Sequence, residues 1–431
     1  QTITLRNGEL AQPVSPEALG MSLDAPATAA AAANKGRSLA GLGDLLGEGM
    51  AWFDTPVVWR FDPDAARGTL ESLAPELAVA AVNSGDTVSG GRAAANPAVD
   101  GRVLDIEATL AALSADPAAV LAGGGLELAV RPVPAAVTDV SAAVDEANRL
   151  LATTVTLVAY DPVGDEQFTW AVEPGVWGQW LRLAVDPAAP QALSWSLDRQ
   201  NGVAYLETLE AQWADGRYLD EDTTLAALSE AIQAQSGMAT TQVRHPERRH
   251  VVQSGETLSS IGYDYGIPYP WLQQLNPGLE SLTVGQEIAI PAADALLPLP
   301  VVPSKRIVVS LSEQRTWVYE NGQLKWEWPS STGITDSPTA PGIFQIQSHE
   351  PNAYAGNWDL WMPSFMGIYR PVPTSEFMNG FHGFPRRGNS QLLWTGDLGH
   401  PVTYGCILLS SENAALLYEW AEEGVVVEVR A

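Results

Sequence analysis

Residues 307–328 read IVVSLSEQRTWVYENGQLKWEW. Three runs rich in β-branched and aromatic residues, at 307–311, 316–319 and 324–328, are separated by polar breaks. The second break is Asn321-Gly322, a pair that tolerates the positive φ angles of a two-residue hairpin turn. The stretch therefore predicts a β-hairpin rather than helical structure. Further strand signals follow at 342–347 and 425–429. A helix is expected over 411–422, with Leu416, Leu417 and Trp420 on one face. The region 305–431 thus reads as a mainly-β, β-sandwich-like domain carrying one helix.

Moving toward the N-terminus, 293–304 is proline-rich (LPLPVVPS closes it) and reads as an extended, semi-rigid linker. Before it, residues 250–291 predict strand, helix, helix, strand. Gly255 turns the chain, Thr257 caps a helix with Leu258 and Ile261 on one face, and a second helix ends at Asn276. Leu258, Ile261, Ile267 and Leu275 are expected in its core. This order and its signpost residues resemble a LysM domain, assigned to 249–292. The resemblance implies binding of N-acetylglucosamine chains, including peptidoglycan glycan strands. The sugar would lie between loop Gly255, Glu256, Thr257, Leu258 and loop Asn276, Pro277, Gly278, Leu279.

The first 243 residues carry 12 basic against 32 acidic residues and contain an internal repeat. The segment at 100–113, DGRVLDIEATLAAL, matches DGRYLDEDTTLAAL at 215–228 in ten of fourteen positions. In each copy Asp105 or Asp220 can cap a helix bearing leucines at 110 and 113, or 225 and 228. A Val-Arg-Pro or Val-Arg-His-Pro echo follows each. Two tandem α+β units are predicted, 1–130 and 131–245. The pieces Pro16-Glu-Ala-Leu-Gly20, Ala33-Asn-Lys-Gly-Arg37 and the repeated Gly-Arg-x-Leu-Asp resemble the peptidoglycan-binding domain that precedes some L,D-transpeptidase and VanW-type modules.

Composition bounds the function. The 431 residues hold 23 Lys plus Arg against 51 Asp plus Glu, a formal net charge of −28. Such a balance argues against nucleic acid, which is gripped through its phosphates, and against docking on anionic lipid. No run approaches the roughly 20 apolar residues of a transmembrane segment. A single cysteine, Cys406, excludes an intrachain disulfide, an iron–sulfur site and a Cys-rich zinc site. A chain beginning at Gln1 rather than Met is what removal of an export signal or anchor would leave.

That cysteine lies in Thr403-Tyr-Gly-Cys-Ile-Leu-Leu-Ser410. A thiolate nucleophile needs a polar or positive neighbour, and Gly405 before it would let a substrate carbonyl approach and free backbone N–H groups for an oxyanion. Histidine is the partner such a site demands. His245 and His250 fall in or before the LysM-like module, leaving His349, His382 and His400. Gly380-Phe-His-Gly-Phe384 presents His382 on a Gly-flanked strand end.

Region 305–431 resembles the L,D-transpeptidase catalytic domain (YkuD type). The matching elements are Ser312-Glu-Gln314, Tyr319-Glu-Asn-Gly322, Ser331-Thr-Gly333, Pro338-Thr-Ala-Pro-Gly-Ile-Phe344, Phe381-His-Gly383 and the terminal Gly405-Cys-Ile motif. The resemblance implies that Cys406 is the nucleophile and His382 its general base. Gly383 would orient the imidazole through its carbonyl, and N–H groups around Tyr404 to Cys406 would bind the oxyanion. It further implies acyl transfer on stem peptides, with 3→3 crosslinks or L,D-carboxypeptidase products, no metal or other cofactor, and inhibition by carbapenem β-lactams. Two positions depart from the family: its histidine before Gly-Cys is Tyr404, and its arginine two residues after the cysteine is Leu408. Arg386 and Arg387 are expected to supply the missing charge, and His400 could supply the missing ring. Trp358, Trp361, Trp394, Tyr354 and Phe365 are candidate walls of a substrate groove. The expectation is an exported enzyme of the cell wall or periplasm; the alternative is a peptidoglycan-binding scaffold of weak or no turnover.

Overall fold

A computed structural model describes residues 2–8, 10–35, 57–186, 189–279 and 281–431. Gly36 and Arg37 of the N-terminal motif lie outside the described residues. The chain divides into two compact units, Gln1–Asn148 with Arg182–Ser196, and Arg149–Leu181 with Leu197–Ala431.

In the first unit, strand Ile3–Asn7 pairs antiparallel with Leu10–Val14 and parallel with Gly125–Glu127. Helix Pro63–Leu77 starts at Asp62, whose side chain accepts from two backbone N–H groups, and buries Ala66, Leu70, Leu73 and Leu77. These pack with Leu5, Leu19, Leu113 and Leu126 into one core. No single helix among the described residues is long and apolar enough to cross a membrane. The pair Ile106–Ala115 and Pro117–Gly123 has the length and composition together, but it bends by 91°, and its Leu110, Leu113 and Leu121 belong to that core.

The sequence repeat is also a structural one. In the first copy, strand Gly101–Leu104 leads to Asp105, which caps helix Ile106–Ala115. In the second, Tyr218–Leu219 leads to Asp220, which caps Glu221–Ala234. Each short strand then pairs antiparallel with the strand carrying the Val-Arg echo, in the same register: Val103 faces Arg131 and Leu104 faces Val130, while Tyr218 faces Arg244 and Leu219 faces Val243. The Gly-Arg arginine differs between copies. Arg102 is exposed, whereas Arg217 pairs with Asp161, Glu166 and Asp215 and lies over Phe168 and Trp213.

Residues 248–290 form the expected strand, helix, helix, strand module, with Arg248–Val251 antiparallel to Glu287–Ile290. Its deep residues are Ile261, Ile267 and Leu272. Leu258 and Leu275 are only half-buried; the second helix turns Leu272 inward in place of Leu275.

The C-terminal region is strand-rich. Its elements are β1 (Lys305–Ser310), β2 (Arg315–Glu320), β3 (Gln323–Pro329), β4 (Gly342–Gln345), β5 (Ser348–Ala355), β6 (Leu360–Tyr369), β7 (Asn379–His382), β8 (Arg386–Arg387), β9 (Ser390–Gln391), β10 (Ile407–Leu408), α1 (Ser411–Trp420) and β11 (Val426–Arg430). One sheet runs β3-β2-β1-β11-β4; the other runs β9-β8-β6-β7-β10, with β5 also on β6. Asn321 and Gly322 close the β2–β3 hairpin with φ of 50° and 71°, the left-handed region such a turn requires. The face of α1 is set differently from the expectation: Ala414 and Leu417 are buried and Leu416 is 45 % exposed.

The LysM-like module and this region share one core. Ile261, Ile267 and Leu272 cluster with Ile307, Phe344 and Val427. Trp271 Nε1 donates to the Arg370 carbonyl at 2.8 Å. The proline-rich segment is fastened down as well. Leu296 and Leu297 are buried, and Gln345 both accepts from the Leu299 N–H and donates to its carbonyl.

Candidate active site

Parallel pairing of β7 with β10 sets Phe381 beside Ile407 and His382 beside Leu408. The residue just before β10 is Cys406. Cys406 and His382 thereby come to line one cavity of about 270 Å³, with Trp358, Met362, Phe377, Arg387, Thr403 and Tyr404 among its other walls.

The loop that carries the cysteine is held by hydroxyls. Ser337 Oγ donates to the Tyr404 carbonyl at 3.0 Å. Thr339 Oγ1 donates to the Gly405 carbonyl at 2.9 Å, and Thr403 Oγ1 to the Cys406 carbonyl at 2.6 Å. Thr339 in turn accepts from the Gly333 N–H at 2.9 Å, and Thr332 is clasped on both its N–H and its hydroxyl by Gln314. The Gln and Ser-Thr-Gly motifs are thus the second layer of the cysteine loop. With three successive carbonyls occupied, the N–H groups of Tyr404 and Cys406 donate to no acceptor among the described residues. Gly405 adopts φ +112°, and a Cβ there would lie 2.7 Å from Asn379 Nδ2. Only glycine fits both constraints.

Burial sets the electrostatics. Cys406 is 7 % and His382 4 % exposed. Desolvation pushes the thiol up to about 11, against a backbone N–H bond from Gly380 that favours the thiolate. Desolvation also pushes the imidazole down to about 4, although its bond with Gly383 favours the charged form. His382 Nδ1 lies 2.7 Å from the Gly383 carbonyl. A carbonyl oxygen only accepts, so Nδ1 carries the proton and Nε2 keeps its lone pair. At neutral pH the pair is a thiol beside a neutral imidazole.

At the mouth, Tyr404 is 55 % exposed and lies parallel to Trp358, with centroids 6.1 Å apart and planes within 13°. Arg387 Nη2 donates to the Trp358 carbonyl at 2.8 Å, which aims its guanidinium along the same rim.

The other candidates are placed elsewhere. Arg386 sits opposite Trp361 in the sheet, and neither they nor His400 line the cavity. Trp361 instead packs against Tyr354, ring centroids 4.7 Å apart and planes tilted by 36°, Trp394 is exposed, and Phe365 is buried. His349 is bonded to the Ala421 carbonyl. Leu408 is fully buried; its backbone exchanges both bonds with Ser331. In the LysM-like module, Gly255 and Gly278 turn with positive φ. Glu256 is held by His250 and by the Gln253 N–H. Thr257 forms a capping box with Ser260. Asn276 spends its amide on Leu272 and on both backbone groups of Ala289, so it is a clamp on the closing strand. Pro277 stays exposed, whereas Leu258 and Leu279 pack against the core.

Two residues at the cysteine escaped the sequence reading. Asn379, 4 % exposed, accepts from Cys406 Sγ at 3.9 Å and donates through Nδ2 to Tyr369 Oη at 3.0 Å. Their only signal was Asn379's position three residues before His382. Among the described residues, no group of three His, Cys, Asp or Glu could hold a metal ion.

Residues 304–429 match the L,D-transpeptidase catalytic domain family (YkuD), residues 250–291 the LysM domain, and residues 13–119 the family described as Putative peptidoglycan binding domain. Among solved structures, the chain is similar to the LD transpeptidase LdtMt1 in complex with imipenem (22 % identity, TM-score 0.25, 29 % of this chain and 58 % of that one). It is also similar to an L,D-transpeptidase from Mycobacterium smegmatis (20 % identity, TM-score 0.26, 35 % of this chain and 65 % of that one). A third is the Ldtfm–avibactam carbamoyl enzyme (16 % identity, TM-score 0.30, 64 % of this chain and 94 % of that one). The chain spans 58 % and 65 % of the length of the first two. No curated protein sequence matches it.

Proposed function

Because the chain carries an L,D-transpeptidase catalytic domain, with LysM and peptidoglycan-binding regions ahead of it, we propose that it transfers acyl groups between peptidoglycan stem peptides through a thioester on Cys406. The observation that carries this reading is the convergence of Cys406 and His382 on one cavity. His382 Nε2 takes the thiol proton as sulfur attacks the carbonyl of the third stem residue. The N–H groups of Tyr404 and Cys406 stabilise the oxyanion. The terminal D-amino acid leaves as an amine, taking the proton from the imidazolium. The side-chain amine of a second stem then resolves the thioester and makes a 3→3 crosslink, whereas water gives the L,D-carboxypeptidase product. Arg387 at the rim offers a charge for a stem carboxylate. The LysM and peptidoglycan-binding regions support association with the cell wall, and on this reading the LysM loops hold glycan on the extracytoplasmic side.

The test is intact-protein mass after incubation with a carbapenem, run beside Cys406→Ala, followed by muropeptide analysis. One adduct on the native chain, absent from the variant, with dimers or trimmed tripeptides formed, is the expected result. No adduct and no product would favour the scaffold reading, which Tyr404 and Leu408 motivate.

A further inference from the structure

The hydrogen bonds around Cys406 do not balance in the resting arrangement. Tyr369 is 1 % exposed, and its Oη accepts from the Ala340 N–H at 3.0 Å and from Asn379 Nδ2 at 3.0 Å. Its own O–H proton then has no acceptor among the described residues. Leaving a buried hydroxyl proton unmade is costly. At the other end, Cys406 gives its S–H to Asn379 Oδ1. That bond exists only for the thiol, so it holds the proton that His382 must remove.

Turning the Asn379 amide by 180° repairs both ends, because its oxygen and nitrogen exchange places at nearly the same positions. The Ala340 N–H still donates to Tyr369 Oη. Tyr369 O–H now donates to Asn379 Oδ1, and Nδ2–H points at Cys406 Sγ. The Tyr369 O–H and the Asn379 N–H facing the sulfur then each have an acceptor, provided the sulfur is a thiolate. No covalent bond changes; the thiol proton passes to the His382 imidazole and the amide rotates. Tyr369 is fixed for this task by its stack on Phe344, centroids 4.3 Å apart. Gly405 leaves the room that Asn379 occupies, since a Cβ there would lie 2.7 Å from Asn379 Nδ2.

We propose that Asn379 and Tyr369 are positioning residues that follow the charge of Cys406, the amide accepting from the thiol at rest and donating to the thiolate during reaction. Together with the Gly380 N–H, the turned amide supplies the polar contact that a buried thiolate needs. The inference rests on Cys406 being the nucleophile of the reaction proposed above.

The experiment is the pH profile of Cys406 alkylation by iodoacetamide on the full chain, read by intact mass, for native protein, Asn379→Ala and Tyr369→Phe. Loss of the N–H donor moves the profile to higher pH. We expect Asn379→Ala to alkylate about tenfold more slowly at pH 7.5, one pK unit, and Tyr369→Phe about threefold more slowly. The rates should converge above the thiol's midpoint. A merely structural role gives the opposite sign, since a truncated Asn379 would admit water, lower the thiol's pKa and speed alkylation. Unchanged or faster alkylation overturns the proposal. Tyr369→Phe keeps the Phe344 stack and decides alone if Asn379→Ala does not fold. Alkylation needs no stem peptide, so a native chain that forms neither a carbapenem adduct nor a muropeptide product would count against the proposed function while leaving this profile readable.

Discussion

Cys406 and His382 are both neutral at pH 7, and the same burial ties them to stability. The unfolded thiol titrates near 8.5 and the folded one at about 11. A folded pKa above the unfolded value gives stability that is present below about pH 8.5 and drains away as pH rises toward 11. His382 runs the other way. Its folded pKa of about 4 lies below the unfolded value near 6.5, so its contribution is present above about pH 6.5 and is lost as pH falls toward 4. Each arm is worth on the order of 3 kcal/mol. Tm measured from pH 4 to 10 should decline on both sides of neutrality, and Cys406→Ala should flatten the alkaline arm alone. An alkaline arm unchanged in that variant would assign the loss to other groups. Asp161 adds a second acid-side term: burial opposes it, but His245 and Arg217 hold the carboxyl down at about 2. Its stabilisation is present above about pH 4 and lost as pH falls toward 2.

The elements that shape the cysteine loop are remote from it in sequence. Thr339 ties Gly333 to the Gly405 carbonyl across 66 residues. Removing that hydroxyl in Thr339→Val leaves a buried carbonyl without a donor, a cost of about 1–3 kcal/mol. It also frees the peptide whose orientation exposes the Cys406 N–H. Stopped-flow acylation by a carbapenem should slow tenfold or more, while alkylation by iodoacetamide, which builds no oxyanion, should change little. Equal slowing of both would place Thr339's role in folding rather than in the loop. Strands and the Asn321-Gly322 turn were legible because alternation and turn chemistry are local signals. The repeat was legible because a cap and two leucines recur at one offset. The hydroxyl pins were not, since a threonine bonded to a distant carbonyl reads like any other. Asn379 was hidden for the same reason, and Arg386, His400 and Trp361, read as candidates for a charge, a ring and a wall of the site, do not line the cavity. Nearness in sequence to a histidine or a cysteine does not fix which face of a strand end meets the cavity.

At the scale of the molecule, the LysM region and the catalytic region share one hydrophobic core. Gly342, at φ +142°, brings its Cα so near Gly266 that a Cβ would lie 2.1 Å from the Gly266 carbonyl oxygen. The two regions should therefore unfold together, as one calorimetric transition. Gly342→Ala should split that transition or lower its Tm by several degrees; a native-like single transition would show that the seam yields freely. The same seam constrains where the chain can be divided. A cut after Pro291 would strip Ile261, Ile267 and Leu272 from Phe344 and its neighbours, exposing an oily scar on each fragment. The usual practice of trimming an accessory module to obtain a tidy enzyme would here produce a protein prone to clump, and the recombination that shuffles such modules between genes would have met the same obstacle.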